Sequence, residues 1–119
     1  MFECGPPDYQ IYILNDSGSD YNYGDLILDS GLFGNVTDKN GIADGERGYI
    51  DGTPFREIET DQIDTGTFAI DAFIYSEGNA DLLRETKTAN TWRVAVVTRA
   101  KGSNATIKIK TLIPQRDTT

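Results

Sequence analysis

Histidine is absent from this chain, and cysteine, methionine and tryptophan each occur once. The missing histidine removes the side chain most used for proton transfer near neutral pH, and the commonest zinc ligand. Cys4 is the lone cysteine, so no internal disulfide can form and no Cys/His zinc site can be completed. It reads as an ordinary free thiol. No Gly-x-Ser-x-Gly elbow and no Walker loop occurs. Gly31-Leu32-Phe33-Gly34 and Gly45-Glu46-Arg47-Gly48 are too short, and too hydrophobic or acidic, to cradle phosphate. Long apolar runs are missing too: no window approaches the roughly 20 residues of a membrane span. Residues 1–8 have neither the basic start nor the apolar core of a secretory leader. The expectation is a soluble protein made in a cytoplasm, with no membrane partner. The sequon matches at Asn35 and Asn104 then carry no meaning.

Carboxylates, by contrast, are plentiful. The chain of 119 residues holds 19 acidic and 11 basic side chains, a net charge of −8. They are unevenly placed: residues 1–81 carry 17 acids against 3 bases, whereas residues 82–119 carry 2 against 8. The acidic part repels phosphate backbones, so nucleic acid is not an expected partner. The basic end either seeks an acidic protein surface or uses its Lys and Arg to solvate and protect strand edges. So many acids guarantee close pairs, but nothing in their order selects the two that a glycosidase would need, and no enzyme is expected. The Asp38–Glu46 stretch resembles the opening of a calcium loop. It fails where an oxygen ligand and a glycine are required, because Ile42 and Ala43 stand there. Both it and the acidic stretch from Asp16 to Asp25 read as ordinary turns, in which Asp and Asn bond their own backbone. No metal or cofactor is expected.

The length suits one domain with one core. Residues 1–8 contain Gly5-Pro6-Pro7 and read as an extended N-terminal arm. Residues 9–114 read as a β domain, and 115–119 as a flexible tail. Within the domain, Tyr9–Leu14 is a first strand, with Tyr9, Ile11 and Ile13 on one face and Tyr12 and Leu14 on the other. A polar loop follows from Asn15 to Gly24. Asp25–Leu28 and Leu32–Thr37 are strands around a turn at Asp29-Ser30-Gly31, and Asn40-Gly41 marks another turn. Gly48–Asp51 and Phe55–Glu59 flank Gly52-Thr53-Pro54 in the same manner. Phe68–Tyr75 alternates as a strand with Phe68, Ile70, Ala72 and Ile74 on one side. Leu82–Thr88 fits a helical turn or a strand, and a strand is preferred. Trp92–Arg99 places Trp92, Val94 and Val96 on one face. Thr106–Ile113 turns Ile107, Ile109 and Ile113 inward and Lys108 and Lys110 outward, giving an antiparallel hairpin that Pro114 ends. Short strands joined by glycine-containing turns, with no amphipathic helix, predict an all-β fold: a small barrel or sandwich.

The order of these pieces resembles the small bacteriophage capsid decoration (cement) proteins. Gly24-Asp25 matches the first element of that family. Leu32-Phe33-Gly34-Asn35-Val36 and Gly45-Glu46-Arg47-Gly48 match the next two, and Gly52-Thr53-Pro54-Phe55 stands where its Gly-Val-Phe lies. Ile63-Asp64-Thr65-Gly66 precedes Phe73-Ile74-Tyr75, and Trp92–Val96 with Ala105–Ile109 completes the order. The match spans roughly residues 24–113, with a longer lead-in and a few extra residues between Gly66 and Tyr75.

The resemblance implies a structural virion protein. Copies, often trimers, bind the outer surface of an icosahedral shell and tie neighbouring major capsid protein subunits together. In that role the first twelve residues, with Phe2, Tyr9 and Tyr12, are expected to form contacts; Tyr21 and Tyr23 are candidates because they lie in a polar loop, and Lys108 and Lys110 because they belong to the basic end. The alternative is a carbohydrate-binding or adhesin-like module of a head fibre. There Tyr9, Tyr12, Tyr21, Tyr23, Tyr49 and Tyr75 would line a sugar-binding face, although core and interface packing accounts for tyrosines as well.

Overall fold

The computed structural model of the chain describes residues 10–88, 91–103 and 105–116. Its regular elements are all strands: β1 (Gln10–Leu14), β2 (Leu26–Asp29), β3 (Leu32–Val36), β4 (Arg47–Asp51), β5 (Glu57–Thr60), β6 (Phe73–Ser76), β7 (Trp92–Arg99) and β8 (Ile107–Arg116). They form two antiparallel four-stranded sheets, ordered β1-β4-β3-β2 and β5-β8-β7-β6. The expected small all-β domain is therefore observed. Among the described residues no helix is long and apolar enough to cross a membrane.

At its β2 end the first sheet is covered on both faces, which is why Leu26, Ile27 and Leu28 are all buried in sequence. Leu26, Leu28 and Phe33 pack on Ile74, Val94, Val97, Ile107 and Ile109 of the second sheet. On the opposite face the sheet curls around Ile13, Ile27, Val36 and Ile50. Tyr21 and Ile42 close the curl from two loops that pair backbone to backbone, with N–H···O distances of 2.9 Å in both directions. The β2–β3 turn uses Ser30 and Gly31 at φ of 53° and 80°, the positive values that a two-residue hairpin loop demands. Gly34 is required for a different reason. A Cβ there would lie 2.2 Å from the Asp51 carbonyl oxygen, so only glycine lets β3 and β4 approach so closely.

Several expectations are corrected. Gly48–Asp51 and Phe55–Glu59 do not form a hairpin: β4 pairs with β1 and β3, whereas β5 pairs with β8 in the other sheet. The segment between them crosses from sheet to sheet. The Phe68–Tyr75 strand shrinks to β6, because Phe68 and Asp71 take φ of 50° and 72° and coil the first half into turns. Phe68 is still buried, but Ile70 points to solvent. In β7 the register shifts between Arg93 and Ala95 and again between Val97 and Arg99. These bulges bury Val94, Ala95 and Val97 and leave Val96 only partly buried, which breaks the strict alternation. Pro114 does not end β8, and Gln115 and Arg116 pair with Arg93 and Trp92. The proline lies where the ladder has slipped, so its missing N–H interrupts no regular bond. Ile113 lies outside the core. Leu82–Thr88 contributes two isolated bridges, Leu83 to Ile63 and Arg84 to Tyr75, rather than a full strand.

Candidate interaction surface

The described residues place no group of three or more His, Cys, Asp or Glu side chains to hold a metal ion. The acidic loops are occupied with their own backbone. Asp38 accepts from the Asn40 amide at 3.0 Å, Asp44 from Gly18 at 2.9 Å and Asp20 from Asp44 at 2.9 Å.

Large apolar side chains stand exposed on several elements, and two of them, on β1 and β4, are placed by strand parity on the face away from the curl. In β4, Gly48 and Ile50 face the curl, so Tyr49 must face out; in β1 the same logic exposes Tyr12. The two are direct cross-strand partners. Their ring centroids lie 4.7 Å apart at 42°, a tilted aromatic pair, and they remain 56% and 48% exposed. The sheet-to-sheet crossover adds Phe55, 58% exposed at φ 61°, and β8 adds Ile113, 66% exposed.

That crossover is held firmly. The Phe55 amide donates to the Thr111 carbonyl at 2.7 Å, and the Thr111 hydroxyl donates to the Thr53 carbonyl at 3.1 Å. The Arg56 guanidinium donates to the Asn35 side-chain oxygen and, at 3.2 Å, to the Asp51 carbonyl. It also lies 3.8 Å from the Asp51 carboxylate. Partial burial works to raise the Asp51 pKa, but bonds from the Thr53 hydroxyl and amide, with the Arg56 charge, outweigh it and hold the carboxyl below its ordinary range.

The anticipated contacts fare unevenly. Tyr12 and Tyr23 are exposed, the latter at 63%. Tyr21 is not a surface residue: it is only 4% exposed, and its hydroxyl meets the Asn79 side-chain oxygen at 3.2 Å. Burial raises its pKa. Its ring completes the curl of the first sheet, so an apolar function inside has displaced the expected outer one. Phe2 and Tyr9 lie outside the described residues. Lys108 and Lys110 do face out, opposite Glu59 and Glu57 across the β5–β8 ladder. Around them Thr98 donates to Glu57 at 2.9 Å, and Arg99 and Thr106 donate to Glu59 at 3.2 and 2.8 Å. The Thr106 and Arg99 hydrogen bonds, with the charges of Arg99 and Lys108, hold the Glu59 pKa below its ordinary value. The hairpin's Arg99 is thus paired within its own sheet, and Lys108 and Lys110 stand across the ladder from carboxylates. Further along the same sheet, the Arg93 guanidinium lies 4.7 Å from the centre of the Phe73 ring. Phe55 and Ile113 were not expected at the surface, and Tyr49 was named for a sugar-binding face alone. For Tyr49 the signal was available, since Gly48 and Ile50 flank it in a strand whose inside they define.

Comparison with family models, curated proteins and solved structures returns no match for this chain.

Proposed function

We propose that this protein is a structural virion component that binds the outer surface of a bacteriophage capsid and bridges major capsid protein subunits. One observation carries most weight beside the ordered motifs. Tyr12 and Tyr49 form an exposed aromatic pair, and Phe55 and Ile113 are among the further large apolar side chains that stand exposed. Aromatic residues on a rigid frame are the side chains that dominate protein interfaces, because they bury much area and lose little rotamer freedom. The frame supplies the rigidity: both sheets are clamped at the crossover by Arg56 and Thr111.

The mechanism is ligand-linked stability. A protein that binds the assembled shell and not its separated subunits stabilises the assembly by mass action. A single interface of standard size can be weak, whereas a homotrimer touching several subunits gains effective concentration. The test is co-sedimentation with expanded heads, the binding then being challenged by Tyr12→Ala and Tyr49→Ala. The carbohydrate reading draws on the same exposed tyrosine pair. It predicts retention on a glycan array and no association with heads.

A further inference from the structure

Each sheet has two edges, and three of the resulting four are defended. The β2 edge is capped by Asn79, which exchanges backbone bonds of 2.9 and 2.8 Å with Leu28, and by the Gln62 side chain, which bonds both the amide and the carbonyl of Leu26 at 2.8 Å. The β6 edge is covered by Arg84, bonded to Tyr75 at 2.7 and 3.0 Å. The β5 edge carries Glu57 and Glu59. Coverage and charge are the usual means of preventing unwanted strand addition.

Among the described residues the β1 edge has neither. Gln10–Leu14 contains no charge and no proline, and within the described residues β1 pairs with β4 alone. Asn15 donates to the Glu46 carbonyl at 2.8 Å, and the alternation of an antiparallel ladder then turns the N–H and C=O of Tyr12 and Leu14 away from β4. The curl of the sheet brings this edge beside the β2–β3 turn. Between them runs a groove of about 280 Å³, with Ile11, Ile13 and Leu32 among its apolar lining and Asp16 and Asp29 among its polar lining. Neither carboxylate has a cationic partner within the described residues.

We infer that the β1 edge accepts an extended segment of a partner protein in which aliphatic residues alternate with Lys or Arg. The open N–H and C=O groups supply ladder bonds, the groove takes the aliphatic side chains, and Asp16 and Asp29 select the cation. A second copy of this chain is the poorer occupant. Its own β1 brings no charge to the two carboxylates, and its basic strand β8 is interior to a sheet. The inference stands whether or not the partner is a capsid subunit.

The experiment titrates the full chain with a short synthetic peptide alternating Val with Lys and Thr. Parallel titrations use an analogue carrying Glu for Lys, and one with the same residues in blocked order. Amide exchange read by NMR should slow at Tyr12 and Leu14 with the alternating basic peptide. Its affinity should exceed that of the acidic analogue by about tenfold, as two solvent-exposed charge contacts allow. Asp16→Asn combined with Asp29→Asn should erase that preference while the fold persists, and Tyr12→Pro should abolish the protection. Equal binding of basic and acidic peptides would overturn the inference, as would protection at another edge. Protection of β1 that grows with protein concentration and needs no peptide would replace it with self-pairing.

Discussion

Asn15 is fully buried at the end of β1, and its replacement tests whether the loops beneath the candidate surface are fixed or loose. Its side-chain amide donates to the carbonyls of Ser19 and Ile42, both at 2.8 Å. Its side-chain oxygen accepts from the Ser17 amide at 3.1 Å and the Ser17 hydroxyl at 2.7 Å. Asn15→Ala removes all of these. The two carbonyls are not orphaned, since Ile42 also accepts from Tyr21 at 2.9 Å, and the Ser17 hydroxyl, 3.0 Å from the Ser19 carbonyl, is free to donate to it once Asn15 is gone. The cost is therefore that of the lost bonds, each worth about 1 kcal/mol and less near the surface, for a total of about 2–3 kcal/mol. In a domain of this size that lowers Tm by about 10 °C. Asn15→Asp is nearly isosteric but aims oxygens, in place of N–H groups, at two carbonyls, and buries a carboxylate without a cation. Burial raises that carboxyl above its unfolded pKa. Its penalty then grows as pH rises through the folded value, and is relieved on acidification toward about pH 4. Thermal and urea unfolding followed by circular dichroism measure both variants. Asn15→Ala within about 0.5 kcal/mol of the parent would refute the reasoning, as would Asn15→Asp with the same pH profile as Asn15→Ala.

Gly34→Ala should destabilise by about 2–4 kcal/mol, because its Cβ meets the Asp51 backbone, whereas Gly18→Ala, in open space at φ 91°, should cost about 1 kcal/mol; urea midpoints returning the reverse order would contradict the β3–β4 approach. Tyr12→Ala and Tyr49→Ala should each change stability by only about 1 kcal/mol, since the pair is half-exposed, yet weaken head binding by about 2 kcal/mol or more. Equal losses in both assays would make the pair structural. The depressed Glu59 pKa adds stability at pH values above the unfolded glutamate pKa, and that stability is lost as pH falls through the lower folded value. A carboxyl NMR titration should find Glu59 below the other exposed glutamates, and an ordinary value would remove the Thr106–Arg99–Glu59 network from the account.

The β1, β2–β3 and β7–β8 elements were legible because period-two alternation and glycine turns act within a few residues. Ile107 and Ile109 inward with Lys108 and Lys110 outward is such a case. What sequence could not carry was decided by distant partners. The Gly52–Phe55 segment has the composition of a hairpin turn, but Thr111 and Arg56 capture it for a crossover between sheets. Phe68–Ala72 alternates like a strand, yet hydrogen bonds from the Thr67 and Phe68 amides to the Glu85 carboxylate bend it into turns. Tyr21 sits in a polar loop, and polarity of neighbours predicted exposure. The hole it fills is made by strands before and after it in sequence. Ile113 falls in the stretch of β8 where the ladder to β7 slips, between the Thr111 and Gln115 pairings, and a slip of register breaks the alternation that placed it inward.

The most direct measurement is the thermal transition of expanded heads, assembled from the associated major capsid protein, with and without this protein. The account predicts that the wild-type chain co-sediments with the heads and raises their transition temperature, and that Tyr12→Ala with Tyr49→Ala abolishes both effects while the variant stays folded. Heads whose transition is unmoved by saturating wild-type protein would contradict it.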